Sequence, residues 1–186
     1  MISADGLLEH ARRLAGTGRG RPPEVDLRRG VSAAYYAVFH DITDRAARHT
    51  IGSATSRDRN RIRRSWSHGE IASLAEIVLA RAKAVAANPH APPTKDVARW
   101  GPLVDLAAGD ADIVVSLRLF SALQEQRHRA DYDHEASFDK LTLLDAHRDA
   151  ERARASLAGA SAVGREALLA LLVAQRGDFR ERSGTP

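Results

Sequence analysis

The sequence predicts an all-α fold, an antiparallel up-and-down bundle of four to six helices, on three observations. Of its 186 residues 34 are Ala, the best helix former, whose small side chain lets helices approach closely. Aromatic residues make up only 5%, and β-branched residues are scattered, which speaks against a sheet-built core. Apolar residues recur at helical spacing in six stretches, and no stretch reads as a strand. The length suits one domain, expected over residues 1–176, followed by a polar and disordered tail over 177–186. A chain of this size buries enough surface to need no disulfide or metal staple.

The elements follow in order. Residues 2–15 form a short helix with Leu7, Leu8, Ala11 and Leu14 on one side. Gly16–Pro23 is a linker. It mimics a glycine-rich phosphate loop, but no strand precedes it and two prolines follow. Pro22-Pro23, then Glu24 and Asp26, make a helix start with acidic residues at the positive dipole end. That helix runs to about His49, with Val31, Tyr35, Val38 and Ile42 as its apolar stripe. Residues 50–66 are irregular and basic. Ser67-His68-Gly69-Glu70 spells a capping box opening a helix over 68–87. Residues 88–109 are a Pro/Gly-punctuated loop. Asp110 and Asp112 open the next helix, to about 130, and Ser137 and Asp139 start another, to about Ala158. Gly159 and Gly164 precede a last helix near 165–176.

Charge and composition bound the function. The net charge is 28 − 24 = +4, and 25 of the 28 basic residues are Arg, which stays charged and grips phosphate as a fork. The absence of Cys excludes disulfides, thiol catalysis and Cys-based metal sites. His128 and His134 are six apart and no His-x3-His pair occurs, so neither a metal nor another cofactor is expected. The first residues carry no basic leader with a long apolar run, and the longest apolar block, Ala167 to Ala174, is too short to span a bilayer. A cytoplasmic protein without membrane contact is the expectation.

Three clusters carry candidate chemistry. The first is Gln126-Arg127-His128-Arg129-Ala130-Asp131-Tyr132-Asp133-His134. The stripe of Ile113, Leu117 and Phe120, continued at helical spacing, becomes Gln124, Arg127, Asp131 and His134, so these polar groups face inward if the helix persists. A charge there must be paired or functional. Alternatively the helix ends near Ala130, Arg127 pairs with Asp131 at i+4, and His134 is a loop residue. A His with a pKa near about 6.5 can move a proton, and an Arg can brace a phosphorane-like transition state. An RNA 2′-OH would supply the nucleophile. The second cluster aligns Ser32, Tyr36 and His40 at i, i+4, i+8 beside the apolar stripe. The third packs Arg57, Arg59, Arg61, Arg63 and Arg64 beside Trp66, a composition that suits single-stranded RNA but equally a solvated basic turn. The three tyrosines, Tyr35, Tyr36 and Tyr132, tag the two helices that carry the first two clusters. Those helices are expected to be neighbours, with a tyrosine hydroxyl on the Arg–Asp–His stripe.

Leu27–His40 (LRRGVSAAYYAVFH), Ser67–Glu70 (SHGE) and Leu123–His134 (LQEQRHRADYDH) together resemble the HEPN domain family, in its branch with a YYA helix and an ADYD motif. The resemblance spans roughly residues 5–158. It implies a helical bundle, a homodimer with a cleft at the interface, and in active members a metal-independent, toxin-like ribonuclease with an Arg-polar-His motif. Carried over, Arg127 would bind phosphate or the transition state and His134 would be general base and acid, with His128 in the polar slot. His128, Asp131, Tyr132, Tyr36, His40 and Ser32 would support them, and Arg129 would join Arg57, Arg59, Arg61, Arg63 and Arg64 in RNA binding. The alternative that the family also implies is a non-catalytic binding module, an antitoxin-like protein or an RNA- or nucleotide-binding partner of a nucleotidyltransferase.

Overall fold

The computed structural model describes residues 3–16, 20, 22–52, 55–93 and 100–183, with side chains described as far as residue 174. Residues 17–19 and 21 of the glycine-rich linker, 94–99 of the loop before Trp100, and 184–186 of the tail lie outside the described residues. The described residues are helical, in eight segments: α1 (Ala4–Leu14), α2 (Glu24–Ile51), α3 (Ser56–Arg63), α4 (His68–Ala87), α5 (Gly101–Gly109), α6 (Ala111–Tyr132), α7 (Lys140–Gly159) and α8 (Ala162–Ser183). The protein is an all-α helical bundle.

Local signals set the helix starts. The Ser3 side chain accepts from the Gly6 amide at 3.0 Å and caps α1. The Ser67 side chain accepts from the Glu70 amide at 3.2 Å while the Glu70 carboxylate accepts from the Ser67 amide at 2.5 Å, the expected capping box of α4. Asp110 caps α6, accepting from the amides of Asp112 at 3.0 Å and Ile113 at 3.1 Å. Asp139 caps α7 through the Thr142 amide at 2.7 Å.

Three stretches depart from the expectation. Within the basic segment 50–66, the Thr55 side chain accepts from the Asp58 amide at 3.3 Å and starts the eight-residue helix α3. Within the punctuated loop 88–109, Pro102 falls in the first turn of α5, where its missing N–H costs nothing, and Val104 and Ala107 are buried. The last helix, α8, continues past 176 to Ser183, so residues 177–183 are helical rather than a disordered tail. Of Gly177–Arg182 only Gly177 and Asp178 are poor helix formers, too few to stop it.

Within the stretch read as one helical domain, the chain packs as two compact units, residues 1–41 with 119–155 and residues 42–118 with 156–186. In the first, Leu8 and Ala11 of α1, Leu27, Val31 and Tyr35 of α2, Phe120 and Leu123 of α6, and Leu143, Ala146, Ala150 and Ala153 of α7 are buried. Tyr35 packs on Phe120 with ring centroids 5.5 Å apart. Gly30 is buried against Leu143, and a Cβ placed on it would lie 2.6 Å from the Leu143 methyl carbons. In the second unit α4, α5 and α8 pack together, burying Ile71, Leu74 and Val78, Val104, and Leu168, Leu171 and Leu172. Trp66 is buried there too, its indole N–H directed at the Leu172 carbonyl at 3.4 Å.

Candidate active site around Arg127

The first unit gathers the polar residues of α2 and α6 into one network. Arg127 stands on α6 just beyond the buried Leu123, and its side chain is 18% exposed. Its Nη2 donates to the Tyr36 hydroxyl at 3.1 Å. Its Nε lies 2.6 Å from Asp131 Oδ2, an ion-pair contact one turn along the helix. Its guanidinium also sits over the rings of Tyr36, at 5.6 Å, and Tyr132, at 5.5 Å. Burial alone would lower the Arg127 pKa, but Tyr36, Asp131 and Tyr132 outweigh it and push it up, so the guanidinium keeps its charge.

Asp131 ties the two helices together. Its second oxygen, Oδ1, accepts from the Ser32 hydroxyl of α2 at 2.6 Å. Tyr36 stacks on His40 one turn along α2, with centroids 6.2 Å apart, and Tyr132 meets the His128 ring at 5.0 Å. Ser32, Tyr36, His40, Arg127, His128, Asp131 and Tyr132 therefore form one connected set, and the expected contact of a tyrosine hydroxyl with the Arg–Asp pair is present. Tyr35 points the other way, into the core, where burial pushes its hydroxyl pKa up.

The stripe does not reach His134. Helix α6 ends at Tyr132, and His134 lies exposed in the turn beyond it, without hydrogen bond, ion pair or ring contact among the described residues. Two devices make that end. The Asp133 side chain accepts from the amides of Glu135 at 3.0 Å and Ala136 at 3.1 Å, an Asx turn that competes with another helical turn. Arg28 of α2 donates to the carbonyls of Ala130 at 3.1 Å, Asp133 at 2.8 Å, and Ala136. Its guanidinium also lies over the Phe138 ring at 5.0 Å and pairs with Glu24 at 3.0 Å. Arg28 thus closes the C-terminal end of α6 with its side chain. The sequence reading assigned Arg28 no role. Its only signal was a basic residue in the first turns of a helix, where a cation opposes the dipole and needs another reason to be there.

The basic cluster divides. Arg57, Arg61 and Arg64, with Ser56 and Asn60, line a surface cavity of about 570 Å³ in the second unit, while Arg59 and Arg63 do not. Trp66 is packed away, so the aromatic platform expected beside these arginines is not available to a base. Arg129 is exposed on α6. Among the described residues no three His, Asp or Glu side chains gather as a metal-ligand set, and no single helix is long and apolar enough to cross a membrane. No protein-family model matches the chain, and neither a curated protein nor a solved structure matches it.

Proposed function

We propose that the protein is a HEPN-type, metal-independent endoribonuclease, toxin-like in character, with Arg127 and His134 as its reacting pair at a cleft of a homodimer. The observation that supports this most directly is the preorganised Arg127, a charged guanidinium held by Tyr36 and Asp131 and covered by two aromatic rings. In the proposed step the neutral His134 imidazole takes the proton of an RNA 2′-OH. The 2′-oxygen bonds to the adjacent phosphorus, and Arg127 neutralises the charge that builds on its oxygens. The P–O5′ bond then breaks, and the departing oxygen takes that proton from the His134 imidazolium. The products are a 2′,3′-cyclic phosphate and a 5′-hydroxyl. Tyr132, 60% exposed, offers its ring as a surface on which a base can stack.

A second reading is favoured by one observation of its own. Asp131 already matches the Arg127 charge, and no contact joins Arg127 to His134 among the described residues. That suits a non-catalytic helical module, antitoxin-like or an RNA- or nucleotide-binding partner of a nucleotidyltransferase, whereas the toxin-like reading would take an antitoxin as its partner. One assay separates the two: the purified protein and its His134→Ala variant are incubated with RNA in EDTA, and the ends are analysed. The ribonuclease reading expects cyclic phosphate ends from wild type and their loss in the variant, which alters only an exposed turn residue. Equal inertness of both proteins leaves the binding-module reading.

A further inference from the structure

We propose that the α3 face built from Arg57, Asn60, Arg61 and Arg64 is a binding subsite for the backbone phosphates of single-stranded RNA, read without regard to base. The inference rests on RNA as the ligand of this protein and names where its strand is held.

Three arginines without a partner among the described residues line one concavity, and that arrangement makes the case, because several arginines elsewhere in the chain stand beside an acid. Arg48 lies 2.5 Å from Asp44, Arg81 2.5 Å from Asp105, Arg148 3.0 Å from Asp145, and Arg154 2.7 Å from Asp5. On α3 the three cations of one face have no such acid. The residue four before Arg61 is Arg57 and the residue four before Arg64 is Asn60, so the helix supplies no acid at i−4, and Asp58, three before Arg61, makes no ion pair with it. The single acid of the helix, Asp58, is taken up by the Thr55 hydroxyl, which donates to it at 2.6 Å. The Arg57, Arg61 and Arg64 side chains have no ion pair or hydrogen bond with any described residue, and all three residues are exposed. Three like charges on one face repel one another, and an anion laid along them removes that cost.

The shape selects the kind of anion. Arg57, Asn60, Arg61 and Arg64 follow i, i+3, i+4, i+7 spacing and so lie along one line, with Arg57 and Arg64 separated by a helical rise of about 10 Å. The concavity they line with Ser56 holds about 570 Å³, and among the described residues no carboxylate and no apolar side chain lines its wall. A folded protein partner needs an apolar contact core, which this wall lacks. A linear polyanion needs only successive cations. With Trp66 buried, no described residue lining the concavity is aromatic, so the subsite recognises backbone alone.

The test uses the full-length protein and short fluorescent 2′-O-methyl strands of uridine or adenosine, which have no 2′-OH to react. Anisotropy titrations are repeated over a range of KCl for wild type, Arg57→Gln/Arg61→Gln/Arg64→Gln, and the control Arg59→Gln/Arg63→Gln. The triple variant is expected to bind both strands more weakly, by the same factor, and its log–log salt slope to fall by about 2, three cations at about 0.7 each. The control is expected to shift less. Wild-type affinity and slope in the triple variant overturn the proposal, as do an equal loss in the control, a loss confined to one base, or displacement of the strand by equimolar inorganic phosphate. Wild type that binds these strands through the three arginines, yet leaves RNA uncut in EDTA, refutes the ribonuclease reading and supports the subsite.

Discussion

Arg127 has its charge matched by Asp131 and its fork used by Tyr36, so the two partners should differ in what their removal does. Tyr36→Phe keeps the ring under the guanidinium and deletes one acceptor. It should cost about 1 kcal/mol in urea unfolding, the worth of one hydrogen bond. Asp131→Asn leaves a guanidinium that is 18% exposed without its counter-charge and should cost more, about 2 kcal/mol after allowance for the solvent that reaches the pair. If Tyr36→Phe proves the more damaging, the ion pair is not what holds the network. Both partners were legible in the sequence, because i+4 spacing places Asp131 beside Arg127 and the two tyrosine-bearing helices were expected to be neighbours. Arg28 was not legible. Its acceptors are backbone carbonyls 102 to 108 residues away, and a carbonyl has no signature in a residue string. An ammonium cannot reach three diverging carbonyls as a planar fork does. Arg28→Lys should therefore lower amide protection over residues 130–136 in hydrogen exchange as much as Arg28→Ala, and recovery by Lys would contradict the fork geometry.

At the scale of elements, the helices that announced themselves had an apolar stripe together with a start signal, a side-chain cap or, for α2, the Pro22-Pro23 pair; α3 and α5 had only one of the two. The cap of α3, Thr55 with Asp58, was hidden by the run of arginines that follows, and no residue of α3 is buried to mark a stripe. Pro102 reads as a breaker when no cap precedes it, although a first-turn position tolerates it. Close approach between elements was equally silent. Gly30 reads as a weak point in a helix, but its missing side chain is the space that Leu143 fills. Gly30→Ala should destabilise by about 1–3 kcal/mol through overpacking, despite the better helix propensity of Ala, and adding Leu143→Ala should restore part of the loss in thermal unfolding. The α6 cap makes a second test. Asp110 also accepts from the Ser161 amide at 2.9 Å. Burial raises its pKa, but the hydrogen bonds from Ser161, Ile113 and Asp112 outweigh that and hold it below the ordinary carboxylate value. Its contribution is therefore complete above the unfolded-state pKa and lost as pH falls through the lower folded value. Asp110→Ala should cost about 1–2 kcal/mol at neutral pH, and the difference from wild type should shrink in acid. A pH-independent difference would remove the charge from the account.

Across the whole chain, the two units are not built from separate sequence segments, and that has a consequence for unfolding. Helix α2 gives residues up to 41 to one unit and the rest to the other; α6 and α7 likewise change membership within a continuous helix, after residues 118 and 155. From Val31 to Ile51, through α6, and through α7 up to Ala158 there is no Gly or Pro, so the i to i−4 ladder has no weak step at those points. Melting one unit would leave three helices ending in mid-ladder, each with four unsatisfied carbonyls or amides and a renucleation cost. Linker-joined domains carry no such penalty. The two units should therefore unfold as one, with a calorimetric enthalpy equal to the van't Hoff enthalpy. Leu143→Ala in the first unit and Leu74→Ala in the second, both buried, should each lower that single transition by about 2–5 kcal/mol without splitting it. Two resolved transitions, with each variant moving only one, would show that the shared helices break at residues 41, 118 and 155 more cheaply than their unbroken ladders imply.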